Sequence, residues 1–271
     1  MLTLPERARS RSAPYAPGAP LLVAEAVTKR FGGQAAVDGL SFAVAAGEIL
    51  GLVGPNGAGK TTMFDCLAGS QRPTSGRILF AGRPVDHLPA HARMALGLGR
   101  TFQIPRPFGA MSVVDNMMLG AQGQRGESAW ASWFRPGAVR RQERELRDRA
   151  MAMLDFTTLA PLAERPAQVL SGGQRKLLEL GRMLMADPKL LLLDEPAAGV
   201  APALLDLVVD RIAAIRDRGV TLLLIEHNME MVARLCSRVL VMAQGRLLAE
   251  GPPAAVVREP AVVEAYLGAA P

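Results

Sequence analysis

The sequence has few aromatic residues, only two cysteines and no long apolar run. Aromatic side chains make up 4% of its 271 residues, too few for the stacking platforms that hold single-stranded nucleic acids. Cys66 and Cys236 lie far apart and lack the spacing of metal ligands, so we interpret them as reduced thiols and expect no disulfide. No apolar stretch approaches the roughly 20 residues of a membrane-spanning helix, and the first residues do not resemble a secretory signal. A role at a membrane would therefore require another subunit as an anchor.

The net charge of +6 and the pI near 10.0 would suit a nucleic-acid or anionic-lipid partner. The distribution of the charge weakens the first of these interpretations. Part of the excess lies in the N-terminal segment, at Arg7, Arg9 and Arg11, and part lies in residues 135–149, where acidic residues are interleaved. Mixed charge at helical spacing is typical of a solvated helix face. We expect no nucleic-acid partner.

The apolar pattern divides the chain into segments of different character. Residues 1–20 are rich in Pro, Arg, Ser and Ala and predict a disordered basic tail. Residues 21–80 are mostly strand-like, and residues 108–166 are mostly helical. Apolar runs at Leu190–Leu193 and Val220–Ile225 then alternate with helical segments. Strands that alternate with helices predict an α/β fold with a mostly parallel sheet covered on both faces.

Residues 54–61, Gly-Pro-Asn-Gly-Ala-Gly-Lys-Thr, fit the phosphate-loop pattern of nucleotide-binding proteins. An apolar strand ends at Val53, and a helical stretch begins near Lys60, as this loop requires. Its glycines let backbone N–H groups approach phosphates, and the following helix presents its positive end to them. We expect Lys60 to contact the β- and γ-phosphates of ATP and Thr61 to hold Mg²⁺. The predicted loop residues are Gly54, Pro55, Asn56, Gly57, Ala58, Gly59, Lys60, Thr61 and Thr62.

Two carboxylates follow the leucine run that ends at Leu193. Asp194 fits the acid that orients Mg²⁺, and Glu195 fits a general base for the attacking water, a role typically worth about 10² to 10⁴ in rate. Both acids could instead cap the next helix, but the phosphate loop favours catalysis. His227 follows another apolar strand. A histidine there is often structural. However, the strand before His227 follows the Asp194 strand in sequence order, so its end should face the nucleotide. We therefore predict that His227 contacts the γ-phosphate.

A second candidate anion site lies at Leu-Ser-Gly-Gly-Gln, residues 170–174. The motif opens an amphipathic helix, so Ser171 could simply be its N-cap. The exposed N–H groups and the helix dipole could also bind phosphate. One chain cannot easily direct both anion sites at one γ-phosphate, whereas each chain of a dimer can lend this segment to its partner. The predicted nucleotide contacts here are Ser171, Gly172, Gly173 and Gln174.

The order of these motifs resembles that of the ATP-binding cassette (ABC) family, over about residues 21–267. The order is a phosphate loop, Gln103, Leu-Ser-Gly-Gly-Gln, Asp-Glu and His. The resemblance implies a P-loop NTPase core with an N-terminal antiparallel β subdomain and a helical signature subdomain. It also implies that two cassettes sandwich two ATP molecules head to tail. Gln103 then matches the glutamine that senses Mg²⁺ and the attacking water, and Phe31 matches the aromatic that stacks on adenine, unless Phe31 is a core residue.

The resemblance also implies domain boundaries. A single cassette would span residues 21–268, because the sequence contains no internal repeat. Within it, residues 21–105 and 187–250 would form the nucleotide-binding core with its β subdomain. Residues 106–186 would form the helical lobe with the signature motif, and residues 251–268 a C-terminal helical extension.

One position departs from the family pattern. The loop after Asp-Glu-Pro usually carries an aspartate that communicates with the opposite cassette, and Ala201 stands in its place. We therefore expect weaker communication between the two ATP sites, unless the partner supplies it. Hydrolysis is not excluded, since Glu195 and His227 are both present.

Four short sequence segments resemble one particular group within the family. Residues 99–108, 111–116, 195–199 and 264–268 resemble ATPases of bacterial branched-chain amino-acid importers. Importers of urea and short amides and lipopolysaccharide exporters remain alternatives. The resemblance implies integral-membrane permeases, a second cassette subunit, which is a paralogue or a second copy, and indirectly a solute-binding protein. It places the chain peripherally on the cytoplasmic face of a bacterial inner membrane.

Two other classes of function stay open at this stage. Soluble cassette proteins act on ribosomes, DNA repair or chromosomes, but they typically carry two cassettes or long insertions, and this sequence has neither. A phosphate-loop kinase of small molecules would explain the loop and the Mg²⁺ ligands. It would not explain Leu-Ser-Gly-Gly-Gln or the pairing of Glu195 with His227.

Overall fold

The computed structural model describes residues 20–101, 107–123 and 136–267, and it divides into two compact units. A helical unit comprises Ile104–Asp187 and Gly199–Arg211. A sheet unit comprises Pro14–Gln103, Pro188–Ala198 and Ile212–Pro271. The predicted basic tail falls outside the described residues, apart from Pro20, which is the first residue of strand β1.

All ten strands of the described part belong to the sheet unit. They are β1 (Pro20–Phe31), β2 (Gln34–Ala45), β3 (Ile49–Val53), β4 (Ser75–Phe80), β5 (Arg83–Pro84), β6 (Leu98–Arg100), β7 (Leu190–Asp194), β8 (Thr221–Ile225), β9 (Arg238–Ala243) and β10 (Arg246–Gly251). The described α-helices are α1 (Lys60–Ala68), α2 (Ala90–Ala95), α3 (Val113–Met118), α4 (Pro136–Phe156), α5 (Gly172–Leu184), α6 (Pro202–Asp217), α7 (Met229–Leu235), α8 (Pro253–Val256) and α9 (Pro260–Leu267).

The first sheet is antiparallel, with strand order β2-β1-β4-β5. In β2 the side chains of Leu40, Phe42 and Val44 are buried, and Ser41 between them is exposed. This alternation is typical of a strand with one face in the core. The antiparallel β subdomain is therefore present, as the family resemblance implied.

The second sheet has strand order β10-β9-β3-β8-β7-β6, and its pairs are parallel except for β9 with β10. Every residue of β3, β7 and β8 is buried. Parallel strands need cover on both faces, so continuous apolar runs are what such strands require. The prediction of a mostly parallel, buried sheet is confirmed.

The core of the sheet unit joins this parallel sheet to helix α1. Leu52, Leu192 and Leu223 from three neighbouring strands belong to one buried cluster with Phe64 and Leu67 of α1. Burial of this apolar surface fixes the helix against the sheet. The loop between β3 and α1 is consequently held at both of its ends.

In the helical unit, α3 packs closely on α5. A Cβ atom at Gly181 of α5 would lie 2.4 Å from Cε of Met117 in α3, so a larger residue there would require the Met117 side chain to move. The predicted apolar side of α5 is confirmed, because Leu177, Leu180 and Leu184 are buried. On α4, the ion pair between Arg141 and Glu145 has side chains 73% and 63% exposed, so the mixed-charge segment does form a solvated helix face.

None of the helices in these described ranges has the length and apolarity needed to cross a bilayer.

Candidate active site

The phosphate loop connects the buried end of β3 to the N-terminus of α1 and depends on glycine conformations. Gly54 has φ 146° and Gly59 has φ 99°. A Cβ atom would lie 2.1 Å from the carbonyl oxygen of Met242 at the first position and 2.1 Å from that of Ala36 at the second. Any other residue would displace neighbouring backbone, so the loop conformation requires these glycines.

The N-terminus of α1 can receive an anion. Gly59 is its N-cap and offers no side-chain hydrogen bond, and the first turn contains no acidic residue. The first N–H groups of a helix lack intrahelical partners and carry the positive end of the dipole. Thr61 in this turn is exposed, and Thr62 is partly exposed. A phosphate is the type of ligand that this arrangement suits.

Lys60 is buried and reaches back over the loop that precedes it. Its Nζ donates hydrogen bonds to the carbonyl oxygens of Gly54 at 2.8 Å and Pro55 at 2.9 Å. Burial lowers the pKa of Lys60, and the negative charges of Glu195 and Asp194 act in the opposite direction. The ammonium group therefore lies in the field of both carboxylates, as the predicted assembly of loop and acids requires.

Asp194 ends strand β7 and is 4% exposed. Its Oδ2 accepts a hydrogen bond from a guanidinium nitrogen of Arg100 at 2.8 Å. The same guanidinium donates to Asp65 of α1. Burial opposes the charge of Arg100, but the hydrogen bonds to the two carboxylates raise its pKa. Arg100 thus connects α1 to the end of β7 and fixes the direction of the Asp194 carboxylate.

Glu195 and His227 meet beyond the ends of β7 and β8, which are adjacent parallel strands. His227 Nε2 lies 3.2 Å from Glu195 Oε1, and their side chains are 41% and 22% exposed. Glu195 has φ 46°, in the left-handed region, a conformation that non-glycine residues rarely adopt and that often marks functional sites. The structure brings these two predicted residues together where water can reach them.

Phe31 lies at the end of β1 and is 52% exposed. The Nζ atom of Lys29 is 5.1 Å from the centroid of its ring, within cation–π distance. Phe31 is therefore not a core residue, and its ring is accessible to a planar group such as adenine.

The Leu-Ser-Gly-Gly-Gln segment belongs to the helical unit and opens α5. Ser171 Oγ accepts from the backbone N–H of Gln174 at 3.3 Å, and Gln174 Oε1 accepts from that of Ser171 at 2.9 Å. This reciprocal pair is a capping box, so Ser171 does cap the helix. Ser171 is exposed, and Gln174 is partly exposed. A Cβ atom at Gly173 would lie 2.9 Å from Leu204 Cδ1.

The oxygen donors at the site suit Mg²⁺. The Thr61 hydroxyl and the Asp194 carboxylate are hard ligands, and Mg²⁺ is commonly held by one or two carboxylates together with substrate phosphates. The Thr61 hydroxyl and the Asp194 carboxylate therefore fit an ion that is also bound by the phosphates of a nucleotide. The third predicted ligand, Gln103, lies outside the described residues.

Sequence reasoning missed Arg100 and Glu226. Arg100 ends the strand that precedes Gln103, and Glu226 ends the apolar run before His227. Charged residues that directly follow or end buried strands were the available signal. The contacts that join each of them to another element are remote in sequence, from Arg100 to Asp65 and Asp194 and from Glu226 to Ala197, so the sequence could not identify them.

Comparison with known proteins agrees with this geometry. Residues 37–198 match the family model described as ABC transporter. Residues 246–271 match the model described as branched-chain amino acid ATP-binding cassette transporter. A high-affinity branched-chain amino acid transport ATP-binding protein of Pseudomonas aeruginosa is 40% identical over 93% of this chain and 99% of its own length. A probable branched-chain amino acid transport ATP-binding protein of Archaeoglobus fulgidus is 38% identical over 92% and 96%.

Solved structures lead to the same family. An ATP-binding cassette of an ABC transporter in its ADP conformation superposes with a TM-score of 0.80 at 35% identity, covering 92% of this chain and 99% of the other. A nucleotide-free cassette gives a TM-score of 0.79 at 34% identity, covering 91% and 98%. The family match spans more than half of the chain, and the relatives align over nearly all of it. The chain therefore belongs to the ABC transporter family, as one of its ATP-binding, ATP-hydrolysing subunits.

Proposed function

We propose that this chain is the ATPase subunit of an importer for branched-chain amino acids, and that Glu195 and His227 carry its hydrolytic step. The observation that carries the catalytic part is the 3.2 Å approach of His227 Nε2 to Glu195 Oε1. The two side chains lie beyond the C-terminal ends of β7 and β8, and Asp194 is the last residue of β7. The match of residues 246–271 to the branched-chain family and the names of the similar proteins support the substrate class.

In the proposed mechanism, the phosphate loop binds ATP through backbone N–H groups and Lys60. Glu195 accepts a proton from the water that attacks the γ-phosphate, and His227 contacts that phosphate and keeps the Glu195 carboxylate oriented. Mg²⁺ would be held by Thr61, Asp194 and Gln103 and would neutralise phosphate charge. Phe31 would stack on adenine.

The proposed working unit is a head-to-tail dimer of cassettes. Residues 171–174 of one cassette would contact the γ-phosphate held by the other through the N-terminus of α5. The second cassette would be a paralogue or another copy of this chain. Ala201, where an aspartate is usual, would weaken communication between the two ATP sites.

The proposed partners are integral-membrane permeases, which the dimer would drive from the cytoplasmic face of the inner membrane. A solute-binding protein would deliver the substrate to the permeases. We further propose the boundaries given above, with a helical lobe at residues 106–186 and a C-terminal extension at residues 251–268. The ATPase subunit does not touch the solute, so its own site does not identify what is transported. An experiment must therefore distinguish the proposed importer from importers of urea or amides and from lipopolysaccharide exporters.

The catalytic part is tested with Glu195→Gln. We expect this variant to bind ATP, to hydrolyse it at least about 10²-fold more slowly and to accumulate as a dimer in ATP. Lys60→Ala should lose nucleotide binding. Glu145→Gln is the matched control, because Glu145 is 63% exposed, and it should hydrolyse ATP normally. Normal turnover by Glu195→Gln would exclude Glu195 as the base.

The transport part is tested by purifying tagged Glu195→Gln protein from detergent-solubilised native membranes with ATP. We expect permeases and a second cassette to copurify. The recovered complex, rebuilt with active cassettes in proteoliposomes, should take up labelled leucine in an ATP-dependent manner. Uptake of urea instead, or recovery of the cassette without membrane proteins, would contradict the proposal.

A further inference from the structure

Glu226 is a buried carboxylate beside the candidate active site. It directly follows the apolar strand β8 and precedes His227, and it is 3% exposed. Burying a carboxylate costs free energy unless hydrogen bonds replace the lost hydration. The hydrogen bonds that Glu226 makes therefore indicate what it does.

Both carboxylate oxygens of Glu226 accept hydrogen bonds from backbone N–H groups. Oε1 accepts from Ala197 at 2.7 Å. Oε2 accepts from His227 at 3.0 Å and from Asn228 at 3.2 Å. One side chain thus joins two loops, the loop that follows β7 and the loop that follows β8. Charge-assisted bonds of this kind are stronger than those between neutral groups.

These bonds act on the backbone next to both candidate catalytic residues. Ala197 lies two residues after Glu195, whose own N–H donates to the carbonyl oxygen of Ile225 at 3.0 Å. The backbone of Glu195 is thereby held to β8 on one side and, through Ala197, to Glu226 on the other. The N–H of His227 is held by the same carboxylate, so Glu226 restrains both ends of the Glu195–His227 contact.

We propose that Glu226 is a positioning residue for ATP hydrolysis, which keeps His227 and Glu195 in register by clamping the two loops that carry them. The inference rests on the roles proposed above for Glu195 and His227. Glu226 need not touch the nucleotide, because its effect is transmitted through the backbone. A misplacement of about 1 Å in a catalytic group can cost about 10²-fold in rate.

Substitution by glutamine tests the clamp without changing the size of the side chain. Glutamine has one carbonyl oxygen, and its NH₂ group cannot accept a hydrogen bond. Glu226→Gln therefore loses either the bond from Ala197 or the bonds from His227 and Asn228. Glu226→Asp retains both acceptor oxygens on a chain shorter by one methylene. The matched control is Glu230→Gln, an exposed position on the following helix.

We expect Glu226→Gln to lower kcat by about 10²-fold, with the Kd for ATP changed less than threefold. Glu226→Asp should recover part of the rate, and Glu230→Gln should equal the wild type. In the His227→Ala background, Glu226→Gln should slow hydrolysis by less than about tenfold, because the part of its effect that acts through His227 is already lost. This non-additivity distinguishes a positioning role from general destabilisation, because a merely structural defect would slow both backgrounds equally.

Three outcomes would overturn the inference: unchanged kcat in Glu226→Gln, multiplicative effects in the double variant, or an equal loss of ATP affinity. If Glu226→Gln does not fold, the comparison is made with Glu226→Asp, for which an additive effect with His227→Ala overturns it. Failure of the proposed function has a different signature, since Glu195→Gln would then turn over normally. An inactive Glu195→Gln beside a fully active Glu226→Gln would remove only the role of Glu226.

Discussion

His227 Nε2 lies 3.2 Å from Oε1 of Glu195, although 32 positions separate the two residues in the sequence. Each side chain follows a buried strand, and the two strands are neighbours in the parallel sheet. The contact joins the residue proposed as a base to the residue proposed to touch the γ-phosphate.

The contact predicts the behaviour of His227→Ala. Loss of the imidazole should lower kcat by about 10²-fold, because one positioned hydrogen-bonding group in an active site is commonly worth 10² to 10³. The Kd for ATP should stay within threefold, since the phosphate loop is untouched. Phosphate release and equilibrium nucleotide binding measure the two effects. Full activity of His227→Ala would show that the contact has no role in hydrolysis.

The ion pairs of Arg100 should contribute to the stability of the protein. Its guanidinium bonds both Asp65 and Asp194, and its side chain is only 14% exposed. Arg100→Met would leave a buried carboxylate without its cation, and we expect the free energy of unfolding to fall by about 3 kcal/mol. Urea denaturation measures it. Arg100→Met/Asp194→Asn should be more stable than Arg100→Met, because the carboxylate that is buried without its cation is Asp194, and equal stability would contradict the ion-pair explanation.

Arg93 predicts a second, purely structural effect. This arginine is 1% exposed and donates to the carbonyl oxygens of Cys66, Leu67 and Leu88, the first two at the C-terminal end of α1. Arg93→Met would leave these buried acceptors without their donor, and we expect a loss of about 2 to 3 kcal/mol. Saturating ATP should still raise Tm, because the phosphate loop lies at the other end of α1. Unchanged stability would contradict this role.

Removal of the exposed ring of Phe31 should weaken the binding only of ligands that carry a base. Removal of an aromatic that stacks on a base typically costs about 1 to 3 kcal/mol, so Phe31→Ala should raise the Kd for ATP about tenfold. The Kd for inorganic tripolyphosphate should not change, since it has no base. Calorimetry measures both constants. An equal loss for the two ligands would show that Phe31 does not stack on adenine.

The two cysteines predict a stability that depends on pH above 9. Burial raises the pKa of the Cys66 thiol from 9.0 to about 11 and that of Cys236 from 9.0 to about 12. The unfolded chain loses these protons first, so their contribution to stability is complete below pH 9 and declines as pH rises toward 11 and 12. Urea denaturation at pH 8 and pH 10 should show a smaller decrease in Cys66→Ala/Cys236→Ala than in the wild type. An equal decrease would contradict the assignment.

The phosphate loop, the acid pair and the family could be identified from the sequence because each is a local pattern. The Gly54–Thr61 pattern needs only a strand before it and a helix after it. The leucines before Asp194 indicate a buried strand whatever surrounds them, and Ser171 at the start of an amphipathic helix indicated an N-cap as one of its two interpretations. Short-range geometry determines the phosphate loop, the buried strand and the helix cap.

The tertiary structure decided which of these patterns meet. The position of β3 between β8 and β9 places the phosphate loop in the same sheet as the strands that end at Asp194 and Ile225. Glu226 bonds Ala197, which lies 29 positions away in the sequence. Arg100 bonds Asp194, which lies 94 positions away. Such pairs depend on strand order and burial, which arise from long-range packing. The sequence by itself therefore determined the chemistry of each group, and only the packing of the sheet determined which groups lie close together.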